Sequence, residues 1–184
     1  PVIASATVDA CDFDTQTALQ TAFDAWVTAA QAKAEADATG GCDPVVSNNA
    51  DKQVVPALCE GGAITVTWTI TDLCDTITVD ATYTINPAPA VVTPVIASAT
   101  VNACDFDTQT ALETAFDAWV AAAQAQAITD ATGGCSPVVT NNANEQVVPA
   151  LCAGGVITVT WTITDLCDTI TVDATYTINP APAV

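Results

Sequence analysis

The alternation of apolar and polar residues changes period several times along the first half of the chain, and the same succession then recurs. From Val2 to Val8 small, β-branched and apolar residues alternate, which predicts a first strand ending at Cys11. From about Thr15 to Ala38 there is no Pro or Gly, and Leu19, Phe23, Trp26, Val27 and Ala30 recur at three- and four-residue steps. That spacing predicts an amphipathic helix over 15–38, with Asp14 or Thr15 as N-cap and Gly40-Gly41 as the stop. Short extended pieces follow near Val45–Ser47 and Val54–Leu58, broken by Asn48-Asn49 and Pro56. Two long strands close the pattern. Ala63 to Thr71 puts Ile64, Val66, Trp68 and Ile70 on one face, and Thr76 to Ile85 alternates Ile77, Val79, Ala81, Tyr83 and Ile85 with Thr and Asp. Leu73-Cys74-Asp75 between them reads as a hairpin tip. Apolar-in, threonine-out alternation indicates an antiparallel sheet with one face in water.

The whole pattern is written twice. Aligning 1–91 with 94–184 at an offset of 93 gives 12 differences in 91 positions, so 79 are identical. The expected division is a first domain over 1–91, a linker of Val92 and Thr93 inside a proline-rich junction 87–94, and a second domain over 94–184 with its helix near 108–131. Pro87, Pro89 and Pro94 favour an extended, semi-rigid connection. Copy 2 closes on the same Asn-Pro-Ala-Pro-Ala-Val as copy 1, so the chain reads as an excerpt of a longer array.

Charge narrows the possible functions. Against 21 Asp plus Glu there are 2 Lys plus Arg and no His, for a formal net charge of -19. Copy 1 holds 12 acidic residues and both lysines, copy 2 holds 9 acidic residues, so the copies carry -10 and -9. Acidity is thus a property of each repeat. It argues against nucleic acid, whose phosphates call for Lys and Arg, and against anionic lipid. The lack of His removes the usual general base and the commonest zinc ligand, and a serine nucleophile would have no base. With only Lys33 and Lys52, Schiff-base chemistry and repeated Lys–Asn isopeptide stapling have no basis. The chain is read as non-catalytic. No apolar run approaches the roughly 20 residues of a membrane-crossing helix.

The cysteines fall as two sets of four: Cys11, Cys42, Cys59, Cys74 and Cys104, Cys135, Cys152, Cys167. Their wide spacing contains no C-x-x-C and suggests disulfides formed outside the cytoplasm. The fold class expected is mainly β: tandem immunoglobulin-like β-sandwich domains, each with one inserted α-helix and two disulfides. Trp26 and Trp68 belong to its core. Four cysteines allow three connectivities. In a sandwich, Cys11 and Cys59 fall at one pole and Cys42 and Cys74 at the other, so the pairing expected is 11–59 with 42–74, repeated as 104–152 with 135–167.

The stretch L-C-E-G-G-A-I-T-V-T-W-T-I-T-D-L-C-D-T-I-T-V-D-A-T-Y-T-I resembles the closing half of hyalin-repeat-like (HYR-like) immunoglobulin-like modules from giant secreted proteins of Bacteroidota. The opening V-D-A-C-D-F-D-T-Q-T-A-L-Q-T-A-F-D-A-W, followed by G-G-C, is similar to their helix-bearing variant. Leu73-Cys74-Asp75 stands where many such modules have Cys-Gly-Asn. The resemblance implies a display or stalk module of long surface proteins, exported through an outer-membrane secretion system, and brings no catalytic residues.

Clustered carboxylates are the candidate metal ligands, since Ca²⁺ favours hard oxygen donors. Asp12, Asp14, Asp72 and Asp75, with Asp105, Asp107, Asp165 and Asp168, recur in both copies, but neither pair forms a D-x-D-x-D-G loop. A solvated acidic surface is the favoured reading, and no metal is assigned. Ca²⁺ is the one cofactor considered. The threonine rows could present regular hydroxyls to ice or sugar, yet threonine is also a good residue for a wet strand face. Asp75-Thr76-Ile77 and Asp168-Thr169-Ile170 resemble a Bacteroidota O-glycosylation context, making Thr76 and Thr169 candidate acceptors. The function expected is a non-catalytic extracellular spacer of a long cell-surface adhesin, filament or appendage used in adhesion, gliding or prey capture. Its partners would be neighbouring repeats of the same polypeptide, or other copies of the chain. The alternative is a glycan- or cell-surface-binding module, ordered by Ca²⁺.

Overall fold

A computed structural model describes residues 1–182 and divides the chain into two units, Pro1–Ala88 and Pro89–Val184. The first contains β1 (Ala6–Asp9), a 3-10 turn (Ala10–Asp12), α1 (Gln16–Asp37), β2 (Val45–Asn48), a second 3-10 turn (Ala50–Lys52), β3 (Gly62–Thr71) and β4 (Thr76–Asn86). The strands form one sheet in the order β1-β4-β3-β2. β3 and β4 pair antiparallel from Gly62↔Ile85 to Thr71↔Thr76, β2 is antiparallel to β3, and β1 is parallel to β4. β1 and β2 therefore point the same way on opposite edges. Parallel strands need a crossover, and α1 makes it, laying its apolar stripe across one face of the sheet.

That connectivity changes the expected architecture. The chain is mainly β, with two sheets, two helices and two disulfides. Each unit, however, holds a single four-stranded sheet, and the helix takes the place that a sandwich gives to a second sheet. The reason is local: β1 and β2 are four residues each. Both find backbone partners at the two edges of the long hairpin, which leaves no strands for another layer.

The helix begins where its cap dictates. Thr15 has extended backbone angles, and its hydroxyl accepts the Ala18 N–H at 3.1 Å, which satisfies one of the orphan donors of the first turn. Leu19, Phe23, Ala30 and Ala34 of α1 are buried against Ile64, Val66, Trp68, Ala81, Tyr83 and Ile85. Small residues at positions 30 and 34 let the helix lie close to the sheet. Two expectations shift. The first strand starts at Ala6 rather than Val2, and Val54–Leu58 is not a strand; Val55 and Leu58 reach the core from an irregular segment.

The second unit repeats the plan: β5 (Ala99–Asn102), α2 (Gln109–Asp130), β6 (Val138–Asn141), β7 (Gly155–Thr164) and β8 (Thr169–Asn179), in the order β5-β8-β7-β6. The unit boundary falls before the expected Val92-Thr93 linker, because Pro89 and Val92 are tied by backbone hydrogen bonds to Gly134 and Thr132.

Candidate functional site

Each long hairpin offers two surfaces. Its inner face is a cluster of rings: Trp26 of α1 meets Trp68 edge-on at 5.6 Å and Tyr83 at 5.3 Å, and Phe23 meets Tyr83 edge-on at 5.5 Å. Trp119, Trp161, Tyr176 and Phe116 repeat the arrangement. The Trp26 indole N–H donates to the Ala4 carbonyl at 3.2 Å, which fastens the N-terminal segment across the helix. Burial pushes the Tyr83 and Tyr176 phenols above their ordinary range, because the anion would lose its hydration. The outer face is a threonine ladder, with Thr65 opposite Thr82, Thr67 opposite Asp80 and Thr69 opposite Thr78. The Thr67 hydroxyl donates to Asp80 at 2.6 Å, and Thr160 does the same to Asp173.

The hairpin tip is held by one of the calcium candidates. Asp72 Oδ1 accepts the Cys42 N–H at 2.8 Å and the adjacent Leu73 N–H, while its own N–H donates to the Asp75 carbonyl at 2.8 Å. The tip is thereby joined to the turn that follows α1. Gly41, at φ +71°, is required there, since a Cβ would collide with the Asp72 carboxylate. Asp75 caps the start of β4 by accepting the Thr76 N–H at 2.8 Å. Asp165 and Asp168 take the same positions, with the Cys135 N–H donating to Asp165 at 2.8 Å. Asp12 lies at the other pole, accepting the Asp9 N–H, and Asp105 accepts the Asn102 N–H. Asp14 and Asp107 precede the helices. Among the described residues no group of three or more His, Cys, Asp or Glu side chains is arranged to hold a metal ion. Thr76 and Thr169 are exposed at the starts of β4 and β8.

Cys11, Cys59, Cys135 and Cys167 are disulfide-bonded, two in each unit. Cys42, Cys74, Cys104 and Cys152 are exposed thiols, so the expected 42–74 and 104–152 links are not formed in this structure. The cysteines open in one unit correspond in sequence to those bonded in the other.

Two glutamines that the sequence reading passed over anchor the helix. Gln16 donates to Pro56 O at 3.0 Å and accepts the Leu58 N–H at 2.7 Å, fixing the irregular segment at the helix start. Gln31 donates to Val46 O at 3.0 Å and accepts from Asn48 at 3.0 Å, fixing the edge strand β2. Gln109 and Gln124 do the same in the second unit. Their signal was present: unsubstituted glutamines bordering an alanine-rich apolar stripe.

No family model matches the chain, and no curated protein matches it. Among solved structures, similarity extends to a three-Ig structure of titin domains (an E-to-A mutated variant), at 7% identity and a TM-score of 0.29, covering 76% of this chain and 56% of that one. It also extends to human protocadherin-24 EC1-2, at 11% identity and a TM-score of 0.28, covering 65% of this chain and 67% of that one. The chain thus spans little more than half the length of the titin structure.

Proposed function

We propose that the chain is a non-catalytic extracellular structural repeat: a spacer in a long surface adhesin, filament or appendage, whose neighbours are further repeats of the same kind. The observation that carries this reading is the disposition of side chains. Within each unit the rings pack on one another on the covered face of its sheet, among the described residues no polar or charged side chain is buried, and the open face is threonine. A glycan-binding module would more naturally present aromatic rings to solvent. Disulfide-bonded cysteines fit an oxidising compartment. No helix among the described residues is long and apolar enough to cross a membrane. HYR-like kinship and a role in adhesion, gliding or prey capture belong to this same reading.

We further take Cys11–Cys59 and Cys135–Cys167 as the closed pairs, and propose that Cys42–Cys74 and Cys104–Cys152 close as well under oxidising conditions. Near-identical units that each accommodate one of the two pairs support this. Stretching single molecules tests both ideas. A reduced repeat of 91 residues should extend by about 320 Å in one event. A fully oxidised one, in which the Cys11–Cys59 bridge removes the stretch between them while 1–11 and 59–91 stay free to extend, should extend by about 150 Å. Two discrete events per chain that lengthen on reduction are expected. Extension without discrete events overturns the spacer reading, and events of unchanged length overturn the pairing.

A further inference from the structure

Asp43-Pro44 is the one Asp–Pro bond in the sequence, and the corresponding bond of the second unit is Ser136-Pro137. Both bonds sit in a backbone shape imposed from either side. The preceding N–H, of Cys42 or Cys135, donates to Asp72 or Asp165 at 2.8 Å. Strand pairing begins directly afterwards, with Val45↔Thr71 and Val138↔Thr164. Between these anchors the chain turns sharply, and Asp43 and Ser136 take φ of +60° and +68°. Among the described residues they are the only ones besides glycine at positive φ. In that region the Cβ crowds the carbonyl group that follows it. The turn keeps its shape whichever of the two side chains it carries, so the strain belongs to the fold. Asp43 is exposed, and among the described residues no hydrogen bond or ion pair holds its carboxylate.

We propose that Asp43–Pro44 is a self-cleavage site, cut when the Asp43 carboxylate attacks the carbonyl carbon of its own residue. A bond forms from Oδ to that carbon, closing a succinic-type cyclic anhydride, and the bond to the Pro44 nitrogen breaks. Proline suits the leaving role, because its nitrogen carries no hydrogen in the chain and departs as a basic secondary amine, taking one proton from solvent. Water then opens the anhydride and releases two protons. One replaces the proton taken up, and the other protonates the new Pro44 amine. Crowding at the carbonyl is relieved as the bond opens. Ser136 has the same strained backbone without a carboxylate to attack it. The cut falls between α1 and β2, while β1 still pairs with β4, and Cys11 and Cys59 lie on opposite sides of it. A nicked unit therefore keeps its sheet, and with Cys11–Cys59 closed its pieces part only when reduced and unfolded. The proposal goes beyond the spacer reading and does not rest on it: one bond opens once, without turnover.

The test holds the 184-residue chain folded in mild acid, about pH 4, and follows it by mass spectrometry before and after reduction. The oxidised chain should gain the mass of one water and stay in one piece. Reduction in denaturant should then release fragments ending at Asp43 and beginning at Pro44, with Ser136–Pro137 intact. Asp43→Asn, which tolerates positive φ, should stay whole. Ser136→Asp should open a second cut before Pro137, and serves if the first variant does not fold. The parent unfolded in urea should be cut about tenfold more slowly, the factor that strain at one left-handed residue is worth. A folded parent that stays whole, or Asp43→Asn cut at the parent's rate, would overturn the proposal. So would a folded Ser136→Asp cut only at Asp43, or a rate in urea equal to that of the folded chain.

Discussion

Replacing Trp26 by alanine should unfold the first unit early and leave the second where it was. The ring is half-buried, packs on Trp68 and Tyr83, and donates its N–H to Ala4 O. Truncating a core Trp to Ala costs about 3–5 kcal/mol, and partial exposure puts this site near the lower end. For a domain of this size about 4–8 °C of melting temperature is lost per kcal/mol, so a fall of roughly 12–24 °C is expected. Each unit has its own core and its own sheet, so calorimetry should resolve two transitions, one displaced and one at the original temperature. Trp119→Ala should displace the other. Trp26→Phe keeps most of the ring contact and loses the hydrogen bond, worth about 1 kcal/mol, so its shift should be clearly smaller. One transition moving as a whole would refute the independence of the units. A Phe variant as damaged as the Ala variant would refute the assignment of the stability to ring packing.

Two further outcomes follow from individual side chains. Trp68 is fully buried and its indole N–H has no acceptor among the described residues. Trp68→Phe removes an unsatisfied donor that costs about 1–3 kcal/mol, which offsets the lost volume. Its stability in urea should stay within about 1 kcal/mol of the parent while Trp68→Ala falls by about 3 or more; equal losses would sink that account. On the surface, the Lys33 ammonium donates a hydrogen bond to Asp37 and holds its carboxyl below the usual range. Because the folded value is depressed, the contribution is present above the unfolded pKa and fades as pH falls through the folded one. Lys33→Gln, the residue found at position 126, should raise the Asp37 midpoint in a carboxyl NMR titration, and an unchanged midpoint would contradict the pairing.

The elements set by local rules were legible in the sequence. The helix and the long hairpin depend on residues a few positions apart, and Thr15, Gly40-Gly41 and the alternation from Ile64 to Ile85 mark them directly. The partner of a short strand leaves no such mark. Alternation at Ala6–Asp9 announces a strand, but its pairing with Tyr83–Asn86 lies 77 residues away and its parallel sense is invisible. Without that pairing, a second sheet looked necessary to cover the apolar face that the helix covers. The recurrence of Asp72 and Asp165 is visible too, but in the sequence alone it reads as a solvated acidic surface, with Ca²⁺ ligation as the alternative. Their backbone partners Cys42 and Cys135 come from a distant turn, so the clamp emerges only once the chain is folded.

The parallel pairing of β1 with β4 also decides how a unit meets tension. These are its first and last strands, side by side and pointing the same way, so the chain enters at one end of the sheet and leaves at the other. A pull on both ends slides one strand along its neighbour in shear. The pairs from Ala6↔Tyr83 to Asp9↔Asn86 must then give way together, not one after another as in a peeled hairpin. The Thr82 N–H on Ser5 Oγ at 3.0 Å and the Asn86 amide on Asp9 at 2.7 Å extend the same seam at both ends. β5 and β8 repeat the pairing, so a pull on the two ends of the second unit would load it in shear as well.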